Sequence, residues 1–186
     1  EDLTEALVSR LSANRLDLLL LALPCACAGA ETLGVARDEF LLAMPKDHRL
    51  AARERVPVSA LAAERLLLLE DGHCLRDQAL SACGFLRGDQ GGGEFGDEHE
   101  RFAATSLHTL AQMVAGGFGV TLLPRLAAAS GVATDAGLVL RPLAGAGAWR
   151  TLGLAWRPNA PRAADYRAMA PVLADACHAA MAAAKL

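Results

Sequence analysis

With 186 residues, 53% hydrophobic but only 4% aromatic, and a formal charge of −3, the chain can build one domain or two small ones around an aliphatic core. Its Lys and Arg residues are scattered rather than clustered, which argues against a nucleic-acid surface on this chain. No apolar run approaches the ~18 residues of a membrane span, so no membrane partner is expected.

The start, Glu-Asp-Leu-Thr-Glu, has neither an initiator Met nor the basic-then-apolar layout of a secretory signal, and reads as a chain entered partway. Over 2–13, Leu3, Leu7 and Leu11 recur at helical spacing, and Asn14 ends the pattern. Leu18–Leu23 is a continuous apolar run stopped by Pro24, as expected of a strand buried on both faces in a parallel sheet. Residues 25–34 are small and read as a loop. Phe40–Met44 is a second apolar strand, Val58–Glu64 a short helix, and Leu66–Leu69 a third buried strand. Cys74 opens a helix-like run. Gly88–Gly96 is a loop by composition.

Arg101–Thr105 reads as a strand. Ser106 is a natural N-cap for a helix carrying Leu107, Leu110, Ala111 and Val114 on one face, and Gly116-Gly117 ends it. Gly119–Leu123 is a strand, after which Pro124 can open a helix. Strands at Leu138–Leu143 and Thr151–Trp156 precede an Ala-rich helix from about Pro161 to Lys185. Alternating strands and helices of this kind predict an α/β fold with mainly parallel sheets.

The five cysteines, Cys25, Cys27, Cys74, Cys83 and Cys177, are odd in number and irregular in spacing, unlike a disulfide framework. Mostly reduced thiols in the cytoplasm fit better. Cys25-Ala-Cys27 has no second ligand pair nearby, and His48, His99, His108 and His178 are dispersed, so neither a metal nor a cofactor is expected. Cys25, Cys27 and Cys177 read as bystanders.

Cys74 is different. A lone cysteine is more often inert core than reactive, but His73 precedes this one and Arg76 lies in its first helical turn. Helix N–H groups and neighbouring positive charge favour a thiolate. Cys83 follows nine residues later, a rise of ~13.5 Å in an unbroken helix, whereas a disulfide needs Cα atoms within about 7 Å. If these two sulfurs pair, the helix between them must come apart.

Thr105-Ser106, the Gly-rich turn and Gly119-Val-Thr-Leu-Leu-Pro124 resemble the effector domain of LysR-type transcriptional regulators. Leu69-Glu-Asp-Gly-His-Cys-Leu-Arg-Asp-Gln-Ala79, with Cys83 at its spacing, is similar to the redox segment of the peroxide-sensing OxyR branch of that family. The resemblance continues through Arg150-Thr-Leu-Gly-Leu and Arg157-Pro to the last helix. It implies a two-lobed, periplasmic-binding-protein-like domain, with a first lobe of 1–41 and 153–186 that is incomplete at its N-terminus. The second lobe would be 42–152 and carry the redox cysteines. The family's DNA-binding winged helix-turn-helix would lie before Glu1, and the loop after Cys83 is longer than the family pattern.

The resemblance also implies site roles. Cys74 would be oxidised by hydrogen peroxide to a sulfenic acid and Cys83 would resolve it to a disulfide. His73, Thr4 and Arg150 would bind peroxide or favour the thiolate, although locally they read as a loop histidine, a polar residue at a helix start and an ion-pair partner. The expected partners are hydrogen peroxide, further copies of the domain as dimer or tetramer, and a reductant such as glutaredoxin or thioredoxin. Promoter DNA and RNA polymerase would be reached only through the full-length activator. On this reading the chain is a sensor and not an enzyme. The rivals are a cysteine-based thiol peroxidase and a LysR-type domain that senses a small metabolite between its lobes.

Overall fold

The computed structural model describes residues 2–27, 29–70, 74–82, 84, 103–145 and 148–184. Two compact units emerge, Glu1–Asp38 with Arg150–Ala182, and Glu39–Trp149 with Ala183–Leu186. Two strands supply residues to both: β2 (Glu31–Met44) and β8 (Trp149–Trp156).

In the first unit, α1 (Thr4–Ser12) leads through Asn14, which takes a positive φ of 58°, into β1 (Leu18–Leu23). β1 runs antiparallel to β8, from Leu18 opposite Trp156 to Leu23 opposite Thr151, and β8 lies next to β2. Side chains alternate across the strands. Leu19, Leu21 and Ala155 pack with Leu11 of α1 on one face. On the other, Leu154 and Trp156 pack with Tyr166 of α6 (Ala163–Ala182). The Trp156 and Tyr166 rings lie 5.8 Å apart and tilted by 54°, and the Arg167 guanidinium sits 5.3 Å from the Trp156 ring. Arg157 ties the α1–β1 connection to β8, donating to the carbonyls of Leu11 and Leu16 and to Asp17.

In the second unit the sheet order is β7–β2–β6–β4–β5, with β3 beside β7. The strands are β3 (Val56–Pro57), β4 (Leu66–Leu69), β5 (Ala103–Ala104), β6 (Val120–Pro124) and β7 (Val139–Ala144). Alternation again decides the packing. Leu41, Ala43, Leu67, Leu69 and Leu123 meet α3 (Leu107–Ala115) and the short helices α4 (Arg125–Ala129) and α5 (Val132–Asp135) on one face. Phe40, Leu42, Met44, Leu66, Val120 and Leu122 share the other with Leu50, Val56, Leu61 and Ala79 of α2 (Cys74–Ala82). Both faces are therefore covered, and the core strands read as near-continuous apolar runs, interrupted in β6 by the buried Thr121, whose hydroxyl donates to the Leu67 carbonyl at 2.8 Å. Ser106 caps α3 by accepting from the Thr109 amide at 3.2 Å. Gly117 (φ 80°) then turns the chain out of that helix.

The α/β class holds, but the pairing is mixed. β4–β5 and β4–β6, joined through α2 and α3, are parallel as crossover connections require, while β1–β8, β2–β6 and β2–β7 are antiparallel. β1 is not buried on both faces as its composition predicts. Among the described residues its one strand neighbour is β8, and Leu20 is 50% exposed. β2 begins at Glu31, well before the predicted strand and inside the predicted loop. The predicted helix over 58–64 is a 3-10 helix, Val58–Ala63. The Gly88–Gly96 loop lies outside the described residues.

Gly119 enters β6 against the backbone of Arg65, whose carbonyl accepts from Val120 at 2.9 Å. A Cβ on Gly119 would collide with that same carbonyl oxygen, which cannot swing aside as a side chain does. Gly119→Ala is expected to lower stability by about 2 kcal/mol, in the range of overpacking substitutions. A urea-unfolding midpoint equal to the parent's would contradict this.

Candidate functional site

The redox-segment resemblance directs attention to the carboxyl edge of the parallel strands, the usual place for reactive groups in open α/β sheets. β4 and β5 run in register, Leu69 opposite Ala104, and the Glu70 amide donates to the Ala104 carbonyl at 3.1 Å. Their carboxyl ends are thus held together, and the first turns of α2 and α3 start from one edge of the sheet. Cys74 is the first residue of α2, half-buried, with a free thiol. Leu75 anchors that turn by packing against both core clusters, and Arg76 reaches back toward the Leu69 carbonyl at 3.5 Å. On the same edge the Ser106 and Thr109 hydroxyls lie 3.0 Å apart and exposed.

His73 and Cys83 lie outside the described residues. Thr4 and Arg150 belong to the first unit and Cys74 to the second. Thr4 is the first residue of α1 and partly buried. Arg150 is bound to Asp38, which is 0% exposed: Nε donates to Oδ2 at 3.0 Å and Nη2 lies 2.9 Å from the same oxygen. A guanidinium placed this way satisfies much of the charge of a buried carboxylate. Nothing in the local sequence marks Asp38 as the partner, because the two residues are 112 positions apart.

Cys177 is a free thiol, 8% exposed. Burial pushes its pKa up from the ordinary cysteine value, and the Asp38 carboxylate adds to the shift. It therefore stays protonated where an ordinary cysteine begins to ionise. Cys25 and Cys27 differ from the expectation of reduced bystander thiols: the structure joins them in a disulfide, with Cα atoms 5.2 Å apart. Their Cys-x-Cys spacing permits such a bond but does not specify it. Among the described residues no group of three or more His, Cys, Asp or Glu is arranged to hold a metal.

Two outcomes follow from this geometry. Arg150→Ala removes two charge-assisted contacts from a buried carboxylate and should cost about 3 kcal/mol; an unchanged thermal midpoint would show that Asp38 does not need them. In native protein, Cys177 should be alkylated by iodoacetamide at least tenfold more slowly than in urea at neutral pH. Equal rates would rule out the burial that raises its pKa.

The family model described as the LysR substrate binding domain matches residues 1–178. A probable hydrogen peroxide-inducible genes activator from Streptomyces viridosporus is 41% identical over 176 residues, covering 95% of this chain and 54% of that protein. The DNA-binding transcriptional dual regulator OxyR of Escherichia coli K12 is 41% identical over 170 residues, covering 91% and 53%. The chain thus spans about half the length of the curated relatives it matches. Among solved structures, the reduced regulatory domain of Vibrio vulnificus OxyR2 superposes with a TM-score of 0.79 at 35% identity, covering 94% of this chain and 78% of that one. An H2O2-bound cysteine-to-serine variant of Corynebacterium glutamicum OxyR gives a TM-score of 0.86 at 32% identity, covering 99% and 56%. By sequence and by fold, the chain belongs to the LysR substrate-binding domain family.

Proposed function

We propose that this chain is the regulatory domain of a hydrogen-peroxide-sensing transcriptional activator, with Cys74 as the peroxide-reactive thiol and Cys83 as the resolving one. The observation that carries the reading is the placement of Cys74, a free, half-buried thiol at the start of an intact nine-residue helix. The relatives described as peroxide-inducible activators and the H2O2-bound structure support it.

The chemistry balances as follows. The Cys74 thiolate attacks one peroxide oxygen, the O–O bond breaks, and the departing hydroxide takes a proton to leave as water. Cys83 then attacks the Cys74 sulfur and displaces the sulfenic hydroxyl as a second water. Two thiols and one peroxide give one disulfide and two waters. His73 is the proposed proton donor, with Thr4 binding peroxide and Arg150 favouring the thiolate.

Geometry converts this oxidation into a change of shape. From its first Cα to its last, the nine-residue α2 rises ~12 Å. Adjacent Cα atoms are only about 3.8 Å apart, so a residue directly after Ala82 stays at least ~8 Å from Cys74 while α2 is intact. That exceeds the ~7 Å a disulfide spans. Bonding therefore requires α2 to open, a two-state rearrangement of the kind redox switches use.

In this reading the two units are the two regulatory lobes, and the second carries the switch. The full-length protein self-associates through these domains, reaches promoter DNA and RNA polymerase through its DNA-binding part, and is reset in the cytoplasm by a disulfide reductant. Among the described residues no helix is long and apolar enough to cross a membrane.

Near-stoichiometric peroxide followed by non-reducing peptide mapping should join the tryptic peptides 66–76 and 77–87. Cys74→Ser should abolish the link, and Cys83→Ser should leave a trappable sulfenic acid on Cys74. Free thiols on both peptides after peroxide would sink the reading. Sustained peroxide consumption with thioredoxin, or a transcriptional response retained in Cys74→Ser, would favour a peroxidase or a metabolite sensor respectively.

A further inference from the structure

We propose that Cys25 and Cys27 form a second, separate thiol–disulfide couple in the first unit, one that exchanges with low-molecular-weight disulfides. The proposal does not rest on the Cys74–Cys83 reading. The two residues lie just beyond β1, joined by a bond with Cα atoms 5.2 Å apart, within the span of a disulfide.

Three observations favour a reversible couple over a structural staple. First, the bond closes a loop across a single intervening residue. So short a loop removes little unfolded-chain entropy, which is how a disulfide stabilises most in the chain-entropy view. Second, α1, β1 and β8 already hold this region together through Leu11, Leu19, Leu21 and Ala155. Third, the two residues are unequal. Cys27 is 8% exposed and sits within that cluster, whereas Cys25 is only partly buried and packs at its margin. The Ala30 amide donates to the Cys27 carbonyl at 3.0 Å and so turns the chain back directly after the pair.

The inequality sets an order of events. The Cys25 thiolate, the more accessible, attacks one sulfur of a small disulfide such as glutathione disulfide and releases the first glutathione thiolate. Cys27 then attacks the Cys25 sulfur and releases the second. The protein dithiol loses two electrons and two protons, one small disulfide becomes two thiols, and excess reduced thiol runs both steps backward. Cys25 is thus the exchanging sulfur and Cys27 the resolving one.

Both cysteines fall in one tryptic peptide, residues 16–37, which contains no other cysteine, so the unsubstituted chain can be used. The protein is equilibrated in glutathione buffers of stepped oxidation, quenched in acid, alkylated and mapped. Peptide 16–37 should pass in one reversible transition from doubly alkylated to lighter by two hydrogens and unalkylated. Cys27→Ser should trap a single glutathione on Cys25, while native Cys25→Ser should acquire glutathione on Cys27 at least tenfold more slowly. Circular dichroism matching the parent confirms that both variants are folded; if either is not, the transition in the unsubstituted chain still decides. A peptide alkylated at every ratio would overturn the proposal. So would a bond that excess reduced glutathione does not open, a lasting glutathione adduct in the unsubstituted chain, or equal rates in the two folded variants.

Discussion

The central strands of the second unit are apolar on both faces, and that constraint governs the rest of the unit. β2, β4 and β6 alternate Phe40, Leu42, Met44, Leu66, Val120 and Leu122 toward one side and Leu41, Ala43, Leu67, Leu69 and Leu123 toward the other. Neither face can be left to water, because each buried aliphatic side chain contributes about 1.5–3 kcal/mol through burial. Helix α3 and its neighbours cover one side, while α2, the 3-10 helix and the segment around Leu50 cover the other. A cysteine at the first position of α2 is therefore attached to a covering element of the core.

This attachment gives the proposed switch its energetic character. Opening α2 gives up the burial of Ala79 and the partial burial of Leu75 and Leu80, a cost of a few kcal/mol. A disulfide has to offset that cost and the lost helix hydrogen bonds. To this face α2 contributes only Ala79 and the partly buried Leu75 and Leu80, while the larger Phe40, Leu42, Met44, Leu50 and Leu61 come from other segments. The first unit is organised differently. Its sheet lies between α1 and α6 and holds a carboxylate, Asp38, in the interior with Arg150 upon it. An ion pair of this kind is costly to desolvate and costly to break, so it fixes geometry more than it adds stability.

Much of the second unit is legible in the sequence because its signals are local. Ser106 followed by a one-sided apolar pattern and closed by Gly116-Gly117 specifies α3 through capping and periodicity, and the structure returns each part of it. The runs at 40–44, 66–69 and 119–123 read as strands, and the structure has a strand at each of them, although that both faces are covered is seen only in the packing. Where signals are weak, the reading fails for identifiable reasons. Residues 31–39 form the first part of β2 with exposed Thr32, Gly34, Arg37 and Glu39 alternating against more buried neighbours, and small residues in such a pattern look like loop. Leu18–Leu23 is as apolar as a central strand, yet Leu20 is half exposed, since an apolar run does not reveal how many neighbours it will have.

By itself the sequence determined the α/β class, the capped and periodic helices, the apolar strands of the second unit and the start of a helix at Cys74, because each depends on residues within one or two turns of one another. Only the tertiary structure decided the mixed strand directions, the burial of Asp38 against Arg150 and the bond between Cys25 and Cys27. The strand directions and the Asp38–Arg150 contact join segments far apart in the chain. The Cys25–Cys27 bond depends on how the chain is turned after β1, which a spacing of two does not specify.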